Sequence, residues 1–77
     1  MNIEEKIRTL ITQNVGGVDG NAIPSDAILL EAGLDSLDTA TVLLEVQEEF
    51  DITLPEGQEN DFDTIAKMTK FVSNLLK

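Results

Sequence analysis

Seventy-seven residues make one small core, with roughly 60–65% of the unfolded surface buried. Fifteen acids face five bases, for a net charge of -10, which sets aside nucleic acid and anionic membrane surfaces as partners and favours basic protein surfaces. With no cysteine and no histidine, the chain can form no disulfide, no conventional zinc site and no Ser–His–Asp triad.

The first helix is expected from about Asn2 to Asn14. Asn2 suits the N-cap, and Glu4 and Glu5 stand in the first turn, where the helix dipole favours acids. Ile3, Ile7, Leu10 and Ile11 follow the helical period and make one apolar face, and Gly16-Gly17 ends the element. The early acids also argue against a secretory signal, and no apolar run is long enough to span a membrane. A cytoplasmic location and a monomer are expected.

Gly16 to Asp35 is a long connection broken by Gly16, Gly17, Gly20, Pro24 and Gly33. Ile23, Ile28, Leu29 and Leu30 should fold it back on the core, with Ser25 or Asp26 capping a short turn through Ala27 to Glu31. Asp19-Gly20-Asn21 begins like a calcium loop. Ile23 and Pro24 then stand where a ligand and a glycine are required, so no specific metal site is expected.

The second helix should start at Asp35 or Ser36 and end near Phe50, with Asp35 as N-cap and Asp38 completing a capping box. At 100° per residue, Thr39, Leu43, Val46 and Phe50 share the core side. Asp38, Glu45, Glu48 and Glu49 take the opposite arc. Leu37, Thr41, Leu44 and Glu48 form a stripe along the border. Asp51 to Glu59 is an acidic connection around Pro55 and Gly57, with Ile52 and Leu54 turned inward and a short helix near Glu56 to Asp61. Asp63 should cap the last helix, whose apolar face is Ile65, Met68, Phe71, Val72, Leu75 and Leu76. Lys67, Lys70 and Lys77 suit its C-terminal half. With no β-type alternation, the fold class is all-α: an acidic bundle of three main helices plus a short one, with a long first loop.

The residues that call for chemistry are Gly33-Leu34-Asp35-Ser36-Leu37-Asp38. A glycine turn delivers a serine to the first turn of a helix, where free N–H groups and the positive dipole end make an anion site. A phosphate on Ser36 would find those donors, although Asp35 and Asp38 partly oppose it. Asp-Ser at a helix start is also ordinary capping chemistry, and acidic charge also simply keeps a small protein soluble.

The wider pattern weighs against those plain explanations. Gly33-Leu34-Asp35-Ser36-Leu37-Asp38, an acidic amphipathic helix ending Glu48-Glu49-Phe50-Asp51, and then Leu54-Pro55 resemble the acyl carrier protein family over essentially the whole chain. The resemblance implies one carrier domain over residues 1–77, with 4′-phosphopantetheine from coenzyme A attached to Ser36. A phosphopantetheinyl transferase would install the arm with magnesium, and its thiol would hold acyl groups as thioesters. The protein is then a carrier and not an enzyme. The resemblance also makes the second helix a docking surface for basic patches on acyltransferase, ketosynthase or acyl and aminoacyl ligase enzymes. Asp35, Asp38, Glu48 and Glu49 match its acidic positions, Leu37 and Leu44 its apolar contacts, and Thr41 lies on the same stripe. Carriers of primary fatty acid synthesis often have glutamates where this chain has Thr41 and Gln47, which favours a dedicated pathway. The cargo stays open among fatty acyl, polyketide and aminoacyl groups. A non-covalent acidic interaction domain is the competing class.

Overall fold

The computed structural model describes residues 2–55, 57 and 59–76. Three α-helices carry the fold: α1 (Ile3–Asn14), α2 (Ser36–Phe50) and α3 (Ile65–Leu75). There is no strand among the described residues. Helix α1 packs against both α2 and α3, so it is the element common to the two main interfaces. Its fully buried Ile7 and Ile11 meet Val42 and Val46 of α2 and Ile65, Met68 and Val72 of α3 in one core. Val42 sits beside the expected core arc of α2 and is fully buried, whereas Thr39 is only half-buried.

The ends of the helices follow local chemistry. Asn2 caps α1 by accepting from the N–H of Glu5 at 3.2 Å. Helix α2 ends at Asp51, which takes the left-handed conformation (φ 54°) that aspartate tolerates better than most side chains. Helix α3 is capped by Thr64 and not by Asp63: the Thr64 hydroxyl accepts from the Lys67 N–H at 3.1 Å. The Asp63 carboxylate instead pairs with the Lys67 ammonium at 2.9 Å, one turn along. Leu75 and Leu76 lie about half exposed at the end of α3, beyond the reach of the core they were expected to join. Lys77 lies outside the described residues.

The first connection is held by hydrogen bonds to its backbone from two sides. A 3-10 turn at Gly20–Ala22 is capped by the Asp19 side chain, so that aspartate has a structural task. The Arg8 guanidinium, on α1, donates to the carbonyls of Gly20 and Ile23. Further along, the Leu29 N–H donates to the Asp63 carbonyl and the Ala66 N–H to the Ser25 carbonyl, both at 2.9 Å. These two bonds hang the connection from the start of α3. The second 3-10 turn covers Leu29–Glu31 and follows Ile28, with no side-chain cap, so neither Ser25 nor Asp26 caps it. Leu29 is fully buried, but Ile28 just before the turn and Leu30 within it point outward at 39% and 55% exposure, because successive side chains at about three residues per turn face different directions. A third 3-10 turn covers Glu59–Phe62, later and tighter than the expected helix; Glu56 and Gln58 lie outside the described residues. Phe62 stacks at a tilt on Phe71, with ring centroids 4.7 Å apart, and pins that turn to α3.

Candidate functional site

Ser36 is the first residue of α2, and it is exposed. The residues on either side do the capping. The Asp35 carboxylate accepts from the Asp38 N–H at 2.7 Å, and the Asp38 carboxylate accepts from the Asp35 N–H at 3.3 Å. This reciprocal box satisfies the donors of Asp35 and Asp38. The N–H groups of Ser36 and Leu37 have no intrahelical acceptor, as at any helix start. The serine hydroxyl is therefore free of a capping duty and stands beside two open donors at the positive end of a fifteen-residue helix. The loop that delivers it turns at Gly33, whose φ of 111° is open to glycine and strained for other residues.

Beside Ser36 lies a small, mainly apolar cavity of about 90 Å³, lined by Leu29, Leu30, Thr39, Ala40, Leu43 and Asp63 with Ser36 at its edge. The exposed Leu30 and the displaced Asp63 thus both belong to the surroundings of the serine. Neither was recognisable in sequence, because the Leu29–Asp63 backbone bond that brings them there joins residues far apart in the chain.

The other expected site residues divide into two groups. Leu37 and Leu44 are 74% and 56% exposed, seven residues apart on one side of α2, and so are surface features and not core. Asp35 and Glu48 are exposed with them; Asp38 and Thr41 are half-buried. The Thr41 hydroxyl donates back to the Leu37 carbonyl at 3.0 Å, which turns it towards its own helix. Glu49 differs. It is exposed, but its carboxylate pairs with Lys6 of α1 at 3.5 Å, so its charge is partly matched within the chain. Gln47 does something that a list of surface charges does not suggest. Its side-chain amide donates to the Leu43 carbonyl at 3.3 Å and accepts from the Leu54 N–H at 3.0 Å.

Among the described residues, no group of histidine, cysteine, aspartate or glutamate side chains is placed to hold a metal ion. No helix there is long and apolar enough to cross a membrane. What remains is one exposed nucleophilic hydroxyl at a helix start, with open amide donors, an apolar hollow and a flank of acids and leucines.

The model of one protein family, the phosphopantetheine attachment site, matches residues 5–72. The chain belongs to that family. It is a carrier and not an enzyme, and its cofactor is a covalently attached 4′-phosphopantetheine. Carrier domains of this kind work with a phosphopantetheinyl transferase and with the enzymes of acyl pathways in general. The surroundings of Ser36 suit such a group: a phosphodiester needs N–H donors, and the arm beyond it needs an apolar surface.

Proposed function

We infer that Ser36 is the attachment residue, and that residues 1–77 act as one carrier domain presenting acyl groups to biosynthetic enzymes. The observation that carries this reading is the division of labour in the first turn of α2. Asp35 and Asp38 cap the helix between them, which leaves an exposed hydroxyl with no structural duty. In loading, the Ser36 oxygen attacks the phosphorus of coenzyme A that bears the pantetheine. One serine–phosphorus bond forms, the pyrophosphate bond breaks, the adenosine bisphosphate leaves, and the serine proton passes to the transferase. When bound, the arm supplies a thiol that holds acyl groups as thioesters. The N–H groups of Ser36 and Leu37 receive the charged oxygens of the phosphodiester.

The docking surface in this reading is the outer side of α2. Asp35, Asp38 and Glu48 steer a basic partner, and Leu37 and Leu44 supply apolar contact at its centre. Glu49 contributes less, because Lys6 already matches its charge. Thr41 puts a hydroxyl in the middle of this stripe, which favours the enzymes of a dedicated pathway over those of general fatty acid synthesis. The cargo is a fatty acyl, polyketide or aminoacyl group.

The attachment is tested by loading the protein from coenzyme A with a promiscuous transferase and fragmenting it by tandem mass spectrometry. The arm is expected on the peptide that contains Ser36. Finding it on another serine or threonine would place the site elsewhere, and no loading would favour a non-covalent acidic interaction domain.

A further inference from the structure

Ser36 does not face the same way as the docking stripe. At the helical step it stands about 100° round α2 from Leu37 and about 80° from Leu44. Leu43, which is buried, lies only about 20° from it. The serine is therefore on a flank of the helix, turned towards the first connection, and not on the crest that carries the two exposed leucines. The residue that meets it across this flank is Leu30. Both border the same cavity of about 90 Å³, a space a few ångströms across, and Leu30 is more than half exposed.

Leu30 is held where it is displayed. Leu29 beside it is fully buried, and the Leu29 N–H donates to the Asp63 carbonyl at 2.9 Å. The Leu29 carbonyl accepts from the N–H groups of Ala32 and Leu34 at 3.0 and 3.2 Å, and the Ile28 carbonyl accepts from that of Glu31 at 2.9 Å. An exposed leucine on a backbone fixed in this way costs a partner little ordering on binding. Glu31 and Asp35, both exposed, give the apolar spot an acidic rim.

What covers the spot follows from where the reacting atom lies. A transferase must bring its own reacting groups to the Ser36 oxygen, because before loading there is no arm to extend its reach. A specific interface covers about 800 Å² of each partner, so an enzyme closed over that oxygen also covers its neighbours. To reach the flank it has to extend past the crest of α2 and onto Leu30. Enzymes that act on a loaded carrier work at the thiol end of the arm and need not approach the serine. We propose that Leu30 is a recognition residue for the phosphopantetheinyl transferase, received by an apolar pocket with a basic rim on that enzyme, and that enzymes acting on the loaded arm leave it uncovered. This rests on Ser36 being the attachment residue.

The test measures loading and later transfer separately. The full chain, Leu30→Ser and Leu30→Met are loaded from coenzyme A with magnesium and a promiscuous transferase, followed by intact mass. Leu30→Ser should lose about tenfold in kcat/KM, the loss expected for one well-packed apolar contact. Leu30→Met stays apolar and should load almost as fast as the unmodified chain. Each protein is then loaded to completion and given malonyl-coenzyme A with the malonyl transferase of general fatty acid synthesis, and all three should accept malonyl at the same rate. If Leu30→Ser does not fold, the Leu30 methyl signals are followed by NMR instead. In Ser36→Ala they should shift when the transferase and coenzyme A are added, and in the loaded unmodified chain they should not shift when the malonyl transferase is added. Unchanged loading of Leu30→Ser, equal losses in the serine and methionine variants, malonyl transfer slowed as much as loading, or methyl signals that answer both enzymes alike would overturn the recognition role and leave the attachment intact. An arm found on a residue other than Ser36 would overturn both.

Discussion

In the first turn of α2 the capping box frees Ser36 from any part in folding, so the chemistry of the serine can be separated from stability. Ser36→Ala should melt within about 0.5 kcal/mol of the unmodified protein, as surface changes away from special features do. It should not load. Asp35→Ala, by contrast, removes the cap and should cost about 1 kcal/mol by circular dichroism melting. Thr41 tests the docking stripe. If partners read this side of α2, Thr41→Glu should speed condensation with general fatty acid enzymes several-fold, mainly through encounter, and the gain should shrink as salt is added. No change in those rates would remove the argument for a dedicated pathway. Asp35, Ser36 and Asp38 were legible in the sequence because a capping box is built from residues three apart. Gln47 was not: it looked like a missing charge, because its partner is a backbone N–H that only the return of the chain after α2 brings within reach.

The elements differ in how far local pattern determined them. The apolar period of α1, that of α3 as far as Val72, and the core side of α2 apart from Thr39 and Val42 follow from spacing alone, and all three helices lie within a residue or two of where spacing puts them. The cap of α3 is Thr64 and not the expected Asp63; the two are adjacent and both suit the position, and Asp63 pairs with Lys67 instead. The first connection was the least legible, since its anchors come from α1 and α3. Glycine shows the difficulty well. Gly16 and Gly20 look alike as breakers, but a Cβ on Gly20 would stand 2.1 Å from the Arg8 carbonyl oxygen, whereas one on Gly16 meets nothing within 4 Å. Gly20 also donates its N–H to the Thr12 hydroxyl at 2.8 Å, so it cannot easily back away. Gly20→Ala should therefore destabilise by about 1–3 kcal/mol through overpacking, and Gly16→Ala should leave the midpoint of denaturation almost unmoved. Equal effects of the two would contradict the close approach of this connection to α1.

For the whole molecule the governing quantity is charge. Lys6, Arg8 and Lys67 are each paired with a carboxylate, and a net charge of -10 is left on a small surface. That field steers basic partners and at the same time favours expansion. Added sodium chloride and millimolar magnesium should therefore raise the melting temperature by several degrees, followed by circular dichroism because the chain has no tryptophan or tyrosine. A melting temperature insensitive to both would count against self-repulsion as a limit on stability. The central claim, that this acidic bundle exists to carry an arm on one serine, is met most directly by intact-protein mass spectrometry. The unmodified chain and Ser36→Ala are each incubated with coenzyme A, magnesium and a promiscuous phosphopantetheinyl transferase, after circular dichroism has shown both to be folded. The unmodified chain should gain the mass of one phosphopantetheine and the alanine variant none. An unmodified chain that stays at its starting mass, or an alanine variant that gains the arm, would contradict the assignment of Ser36.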